Sequence, residues 1–145
     1  MKLVIQRVTS GQVKVGDNII SEIGNGYVVL VGTKKGDDQE QADKLVQKLL
    51  NLRVLADENN KMNKSILDTQ GEILVISQFT LYASTDKGNR PSFIESAPPE
   101  EANRLIEYFV DKLKDSNLKV VTGKFGAHMM VELVNDGPVT IILEA

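Results

Sequence analysis

The chain lacks cysteine and tryptophan and has a single histidine among its 145 residues. Without cysteine it forms no disulfide, binds no metal through thiolates and has no cysteine nucleophile. The same absence fits a reducing cytosol. Any catalysis must therefore depend on other side chains or on the backbone.

Long apolar runs are also absent. The apolar start ends at Gln6 and Arg7, too early for the core of a secretion signal, and no later run is long enough to span a bilayer. We therefore expect a cytoplasmic protein with no membrane partner. The length and the 41% hydrophobic content predict a single domain over residues 1–145, which buries about two thirds of the surface of its unfolded chain.

The charge balance limits how the chain contacts nucleic acid. The net charge is −3 and the isoelectric point is near 5.2, so the broad basic field of a protein that grips many phosphates is missing. Any RNA contact is expected to be local. Single basic residues such as Lys34, Lys35 and Arg90 are, by themselves, more typical of a solvated surface.

The residue pattern predicts one mixed α/β domain. Apolar residues at helical spacing predict helices over 38–52, capped by Asp37 or Asp38, and from Pro98 to about Asn117. A β-branched run between glycines predicts a central strand at 27–32, buried on both faces. Further strands are predicted at 2–8, 12–15, 72–77, 119–122, 129–134 and 138–143. Residues 56–63 and 82–98 are predicted loops.

The sequence contains no common hydrolase motif. No phosphate-binding glycine loop, nucleophile elbow or HExxH metal motif occurs, and no metal or cofactor is expected. His128 is the only histidine and is weighed as a general base. It stands where a strand begins and has no evident orienting partner, so a catalytic role is not favoured.

Two short segments combine a strand with residues able to hold a ligand. Ser77, Gln78, Phe79 and Thr80 follow a buried strand and offer hydroxyls, an amide and backbone N–H groups. Alone, this run is more typical of a strand with alternating faces. Residues 135–140, NDGPVT, are typical of a hairpin turn, although the bond before Pro138 is one that adopts the cis form at a cost of only about 0.5–1 kcal/mol.

Five segments together resemble the D-aminoacyl-tRNA deacylase family. They are QRV at 6–8, NKMN at 60–63, SQFTL at 77–81, RPSF at 90–93 and NDGPVT at 135–140. The resemblance covers the whole chain in order and spacing. The chain departs from the family at Asn60, where glycine is common, and before Val13, where Ala-Ser is usual.

The resemblance implies a homodimer with a partly barrel-like sheet and two main helices. Gly137 and Pro138 of one subunit, joined by a cis bond, would reach the Ser77–Thr80 pocket of the other and exclude an L side chain. Arg7, Asn135 and Thr140 are expected to support that loop, and a surface ion pair is an equal alternative for Arg7. The implied substrate is D-aminoacyl-tRNA, bound through its 3′-terminal adenosine, and glycyl-tRNA should also pass.

For the reaction, we expect water to attack the ester with help from the ribose 2′-hydroxyl, while backbone N–H groups near Gln78 and Phe79 stabilise the oxyanion. Ser77 and Gln78 would hold the adenosine, Phe79 would pack on it, and Arg90 would meet acceptor-stem phosphates. A covalent role for Thr80 is the alternative within this function. Two other functions stay open, namely a dimeric RNA-binding module without chemistry and a small-molecule regulatory domain.

Overall fold

A computed structural model describes residues 1–145. Its helices are α1 (Gln39–Leu50), α2 (Ile66–Thr69) and α3 (Pro99–Lys114). Its strands are β1 (Lys2–Val15), β2 (Asn18–Ile23), β3 (Gly26–Gly32), β4 (Leu55–Ala56), β5 (Met62–Lys64), β6 (Glu72–Ser77), β7 (Val120–Thr122) and β8 (Met130–Glu144). No helix has both the length and the apolar character needed to cross a bilayer.

Six of the strands form one mixed sheet. Its order is β2-β1-β3-β6-β7, and β8 pairs with β1 along most of its length. The β3–β6 and β6–β7 pairs are parallel and all other pairs in this sheet are antiparallel. The sheet curls until the Ser21 hydroxyl of β2 donates to the Thr122 carbonyl of β7 at 2.5 Å. The predicted mixed, partly barrel-like architecture is confirmed.

Alternate residues of the central strands feed two separate cores. Tyr27, Val29 and Val31 of β3 face a large core under α1 and α3, which also contains the fully buried Phe109. Val28, the intervening residue, faces a smaller core inside the curl of the sheet. Because β3 is buried on both faces, its continuous apolar sequence predicted its central place correctly.

Both main helices lie where their apolar spacing placed them. Asp38 caps α1 by accepting a hydrogen bond from the Glu40 amide at 2.8 Å, and Gln41 reaches back to the Asp38 amide. Helix α3 begins at Pro99, as the proline pair predicted, but it ends at Lys114 rather than near Asn117. The last predicted residue, Asn117, has φ of 64° and lies in the turn that follows.

Two expectations about strand breaks were wrong. The first two predicted strands, 2–8 and 12–15, belong to the single strand β1. The last two, 129–134 and 138–143, do not form a hairpin, because all of their residues except Met129 belong to the single strand β8. Gly11 lies inside β1 because of packing, since a Cβ there would approach Val28 Cγ2 to 2.7 Å. The NDGPVT segment is therefore an excursion within a strand, not a connection between two.

Glu72 generates a stability prediction. Hydrogen bonds from the Lys119 ammonium at 2.8 Å and the Gly24 amide at 2.9 Å hold the pKa of the Glu72 carboxyl below its usual value. A depressed carboxyl pKa stabilises the fold above the unfolded pKa, and this contribution is lost as pH falls through the lower folded value. We expect Glu72→Gln to lower the free energy of unfolding by about 1 kcal/mol at pH 7.

The measurement is urea unfolding at pH 7 and again below pH 4, where the difference from the unmodified protein should shrink. Glu22→Gln is the matched control, because Glu22 is an exposed strand carboxylate without a hydrogen bond or ion pair. A Glu72→Gln deficit that is the same at both pH values would contradict the electrostatic account.

Candidate functional site

A cavity of about 740 Å³ opens at the carboxyl ends of the three parallel strands. The register of β3 and β6 places Val31 beside Ser77, so the segments leaving both strands start at the same edge. The turn that follows β7, residues 125–129, forms part of the wall. Ligands commonly bind at this edge of parallel sheets, because the diverging connections leave a crevice there.

The cavity wall is mostly apolar. Phe93 and Ile94 lie at its rim together with the start of α3, and Ile94 is 72% exposed. The rings of Phe79 and Phe93 meet edge to face with centroids 4.9 Å apart. Phe79 nevertheless keeps 57% of its surface exposed. An exposed aromatic pair at the mouth of an apolar cavity is suited to bind a flat ring.

The backbone after Ser77 leaves two hydrogen-bond donors free. The Gln78 amide donates to the Val31 carbonyl at 2.8 Å, and the Leu81 amide donates to the Gln78 carbonyl at 3.2 Å. Between them, the amides of Phe79 and Thr80 have no acceptor within the chain. The run that, alone, is more typical of a strand contains a 3₁₀ turn, Phe79–Tyr82, and the first N–H groups of a helical turn have no partner within it.

The side chains of the same segment differ in their partners. The Ser77 hydroxyl lines the cavity and makes no hydrogen bond within the chain. The Gln78 side-chain amide donates to the Thr80 hydroxyl. Thr80 is exposed and does not line the cavity. Its hydroxyl therefore meets a hydrogen-bond donor, which is not a base able to accept its proton.

Sequence reasoning named Lys35 and His128 but did not predict that they lie in the cavity wall. Lys35, which follows β3, and the turn 125–129, which includes His128, both line the cavity. No carboxylate is among the lining residues, and no cluster of possible metal ligands occurs in the chain. The signal for these residues was their position directly after parallel strands, which a sequence without known strand pairing does not reveal. Arg90 is not in the wall, whereas Phe93 of the same RPSF segment is.

The NDGPVT segment forms a bulge, the four residues Asp136 to Val139. On β1, Gln6 pairs with Thr140 and Val8 with Asn135, so four residues of β8 lie opposite Arg7 alone. Gly137 and Pro138 are exposed, Gly137 has φ of 138°, and the bond between them is cis.

Two side chains hold this bulge in shape. The side-chain oxygen of Asn135, Oδ1, accepts a hydrogen bond from the Val139 backbone amide at 2.8 Å. The side-chain nitrogen of Asn135, Nδ2, lies 3.4 Å from the Thr140 hydroxyl. Arg7 donates from Nε to the Asp136 carbonyl at 3.0 Å and from its guanidinium to the Val54 carbonyl at 2.7 Å. Arg7 Nε also lies 3.1 Å from the Asp136 carboxylate, and the Arg7 side chain is only 12% exposed. Arg7 therefore contacts the bulge and forms an ion pair with one of its residues.

The bulge and the cavity lie at opposite ends of β3. Arg7, beneath the bulge, pairs with Tyr27, whereas the Gln78 carbonyl approaches Gly32 so closely that a Cβ there would lie 3.0 Å from it. Five residues of a strand span about 16 Å. Within one copy of the chain, the bulge and the free amides of Phe79 and Thr80 therefore cannot contact the same small group.

Comparisons with known proteins agree with one another. A family model described as D-Tyr-tRNA(Tyr) deacylase matches residues 4–144. The D-aminoacyl-tRNA deacylase of Thermosipho africanus (strain TCF52B) is 53% identical over 145 residues, covering all of this chain and 97% of the relative. The D-aminoacyl-tRNA deacylase of Clostridium botulinum (strain Alaska E43 / Type E3) is 55% identical with the same coverage.

Two solved structures share the fold. One is named c-Myc DNA Unwinding Element Binding Protein, with a TM-score of 0.94 and 46% identity over 100% of this chain and 99% of that one. The other, a probable eukaryotic D-amino acid tRNA deacylase, has a TM-score of 0.87 over 99% and 98%, and its 16% identity shows the fold alone. By the family match and by full-length identity above 50%, the chain belongs to the D-aminoacyl-tRNA deacylase family.

Proposed function

We propose that this protein is a cytoplasmic hydrolase of D-aminoacyl-tRNA that works as a homodimer of one-domain chains, 1–145. It would release free tRNA and a D-amino acid or glycine and leave L-aminoacyl-tRNA intact, without a metal or cofactor. The observation that carries the proposal is the free amide of Phe79, a residue in the wall of an apolar cavity without a carboxylate, with the free amide of Thr80 next to it in the chain. Family membership supplies the substrate class.

The separation of the bulge and the cavity supports a site that is shared between two copies. Strand β8 pairs only with β1, so one edge of a 15-residue strand is unpaired. Met130, Val134 and Ile142 of this strand are more than half exposed. A long, apolar edge strand is an aggregation hazard unless something covers it. A second copy on this face would cover it and would carry a bulge to the other copy's cavity.

For the reaction, the ester carbonyl would lie at the Phe79 and Thr80 amides. Water adds to the carbonyl carbon, and the negative charge that forms on its oxygen is stabilised by the two N–H groups. Each such donor contributes about 2.7–4 kcal/mol to lowering the barrier. The bond from carbon to the ribose 3′ oxygen then breaks, one proton of the water passes to the 3′ oxygen, and the amino acid leaves as a carboxylate while the second proton is released to solvent.

The proton is relayed by the substrate in this proposal. The cavity offers no carboxylate, the Thr80 hydroxyl faces an amide donor, and His128 has no hydrogen bond to orient it. The ribose 2′-hydroxyl, adjacent to the ester, orients the water and relays a proton from the water to the 3′ oxygen. Positioning of this kind replaces a protein base. Ser77 and Gln78 would hold the ribose and Phe79 the adenine ring.

The choice of D substrates is assigned to the partner's bulge. Exposed carbonyls at Gly137 and Pro138 would face the α-ammonium group, so an L side chain would collide with the bulge and a D side chain would point outward. A pocket alone separates substrates that differ by one methylene by only about 1–3 kcal/mol. Steric rejection is needed because L-aminoacyl-tRNA is the abundant species that must survive.

The test of this function compares matched D- and L-aminoacyl-tRNA, with the ester remaining measured over time. We expect selective loss of the D ester, with glycyl-tRNA also cleaved. Retention of tRNA on the protein without release of amino acid would instead favour a non-catalytic RNA-binding module. If both esters survive equally and the protein does not bind tRNA, the remaining alternative is a small-molecule regulatory domain.

The free amide of Phe79 gives a sharper prediction. Phe79→Pro removes this N–H without breaking a hydrogen bond, and Gln78, with φ of −144° and ψ of 82°, lies outside the α region that a following proline disfavours. We expect its kcat to fall about 100-fold to 1,000-fold below that of Phe79→Ala, the control for the lost ring. Equal kcat values for the two variants would remove Phe79 from the oxyanion site.

Thr80→Ala separates the two mechanisms. If Thr80 only accepts the Gln78 hydrogen bond, the rate should fall by less than about tenfold, the cost of one hydrogen bond. Single-turnover hydrolysis of D-aminoacyl-tRNA measures this directly. A folded Thr80→Ala protein with no turnover would restore Thr80 as the covalent nucleophile.

A further inference from the structure

The charge of the cavity wall is unlike that of the rest of the chain. The protein has 20 acidic and 17 basic residues, yet the 21 residues that line the cavity include no carboxylate. Lys35 is the only lysine or arginine among them, and His128 is the only other titratable side chain. A cavity with one sign of charge attracts ligands of the opposite sign. This one is built to admit an anionic group.

Lys35 has no partner that neutralises it. Seven other lysines form ion pairs with carboxylates, and the ammonium of the neighbouring Lys34 lies over the Tyr82 ring instead. The Lys35 ammonium has no carboxylate within 4.0 Å and no hydrogen bond within the chain. Its charge is therefore available to a ligand.

The backbone of Lys35 is fixed although its side chain is free. Its amide donates to the Glu95 carbonyl at 3.0 Å, and the Lys34 amide donates to the Asp37 carboxylate at 2.7 Å. Lys34 and Lys35 follow the end of β3, and Ser77 is the last residue of β6, the parallel neighbour of β3. The ammonium is thus attached at the edge of the cavity where the free Phe79 and Thr80 amides would hold the ester.

We propose that Lys35 binds the phosphodiester on the 5′ side of the substrate's terminal nucleotide. The inference rests on the proposed function, since the nucleotide is the one whose ester is cleaved. That phosphodiester is the anion nearest to the ester, on the other side of the same ribose. One contact of this kind gives the acidic protein a local hold on tRNA without a broad basic surface, and Lys35 is a positioning residue in this role.

The experiment compares two substrates, D-aminoacyl-tRNA and 3′-O-D-aminoacyl-adenosine, which lacks the phosphodiester. We expect Lys35→Met to lower kcat/KM for the tRNA about fivefold to tenfold, mainly through KM, and to leave the nucleoside ester within twofold. The slope of log kcat/KM against log salt should become shallower by about 0.7 for the tRNA. Lys35→Arg should restore most of the loss. Lys48→Met, on an exposed lysine of α1 outside the cavity, is the matched control.

Each other outcome overturns the assignment. Equal losses for both substrates would place Lys35 at the ester itself, and an unchanged kcat/KM for tRNA would leave it a solvated lysine. If the unmodified protein cleaves neither substrate, the proposed function fails as well. That result is distinct, because it does not depend on any Lys35 variant.

Discussion

The parallel pairing of β3 with β6, in the register that sets Val31 beside Ser77, is the constraint on which the site depends. Parallel strands need crossovers, and α1 and α3 supply them on one face of the sheet, over the large core. The three segments that leave β3, β6 and β7 consequently meet at one edge. The Gln78 amide still donates to the Val31 carbonyl of the neighbouring strand, and the 3₁₀ turn that follows leaves the next two amides without an acceptor in the chain.

The antiparallel half of the sheet has a different task. The 11 residue pairs between β1 and β8 hold a long strand whose register shifts on both sides of the Val8–Asn135 pair, and the larger of the two shifts is the Asp136–Val139 bulge. Arg7 of β1 donates a hydrogen bond to the Asp136 carbonyl, and the Asn135 side chain accepts one from the Val139 amide, so both ends of the bulge are held. The bulge lies at one end of β3 and the open cavity at the other, so in the proposed homodimer a second copy would bring the two together. The proposed rejection of a substrate by steric collision would require a bulge that is held in a fixed shape.

Much of the fold was readable from local pattern. The apolar spacing of α1 and α3 and the continuous β-branched run of β3 each reflect burial, and buried positions can be recognised from the pattern of apolar residues. The short turn at Phe79–Tyr82 and helix α2 were not predicted, because elements of four residues have too few positions to show a period. The unbroken β1 and β8 were also missed, since Gly11, Gly137 and Pro138 suggest turns unless the pairing partner is known.

The site was only partly predictable for a related reason. The Ser77–Thr80 and NDGPVT segments stand out through composition and through their resemblance to a family. Lys35 and His128 do not, because their place in the cavity wall is set by strand pairing far away in sequence. Whether backbone amides are free is likewise invisible in residue identity, yet the proposed chemistry depends on those amides more than on any side chain.

The central claim, that one active site is built from two copies, is tested by mixing two impaired variants. Phe79→Pro damages the cavity of its own copy, and the double variant Arg7→Met, Asn135→Ala damages the bulge. Random reassociation after partial unfolding makes half of the dimers mixed, and each mixed dimer has one intact site, so activity should recover to about a quarter of the unmodified level. A mixture no more active than the better variant alone would contradict the account and return the whole site to a single copy.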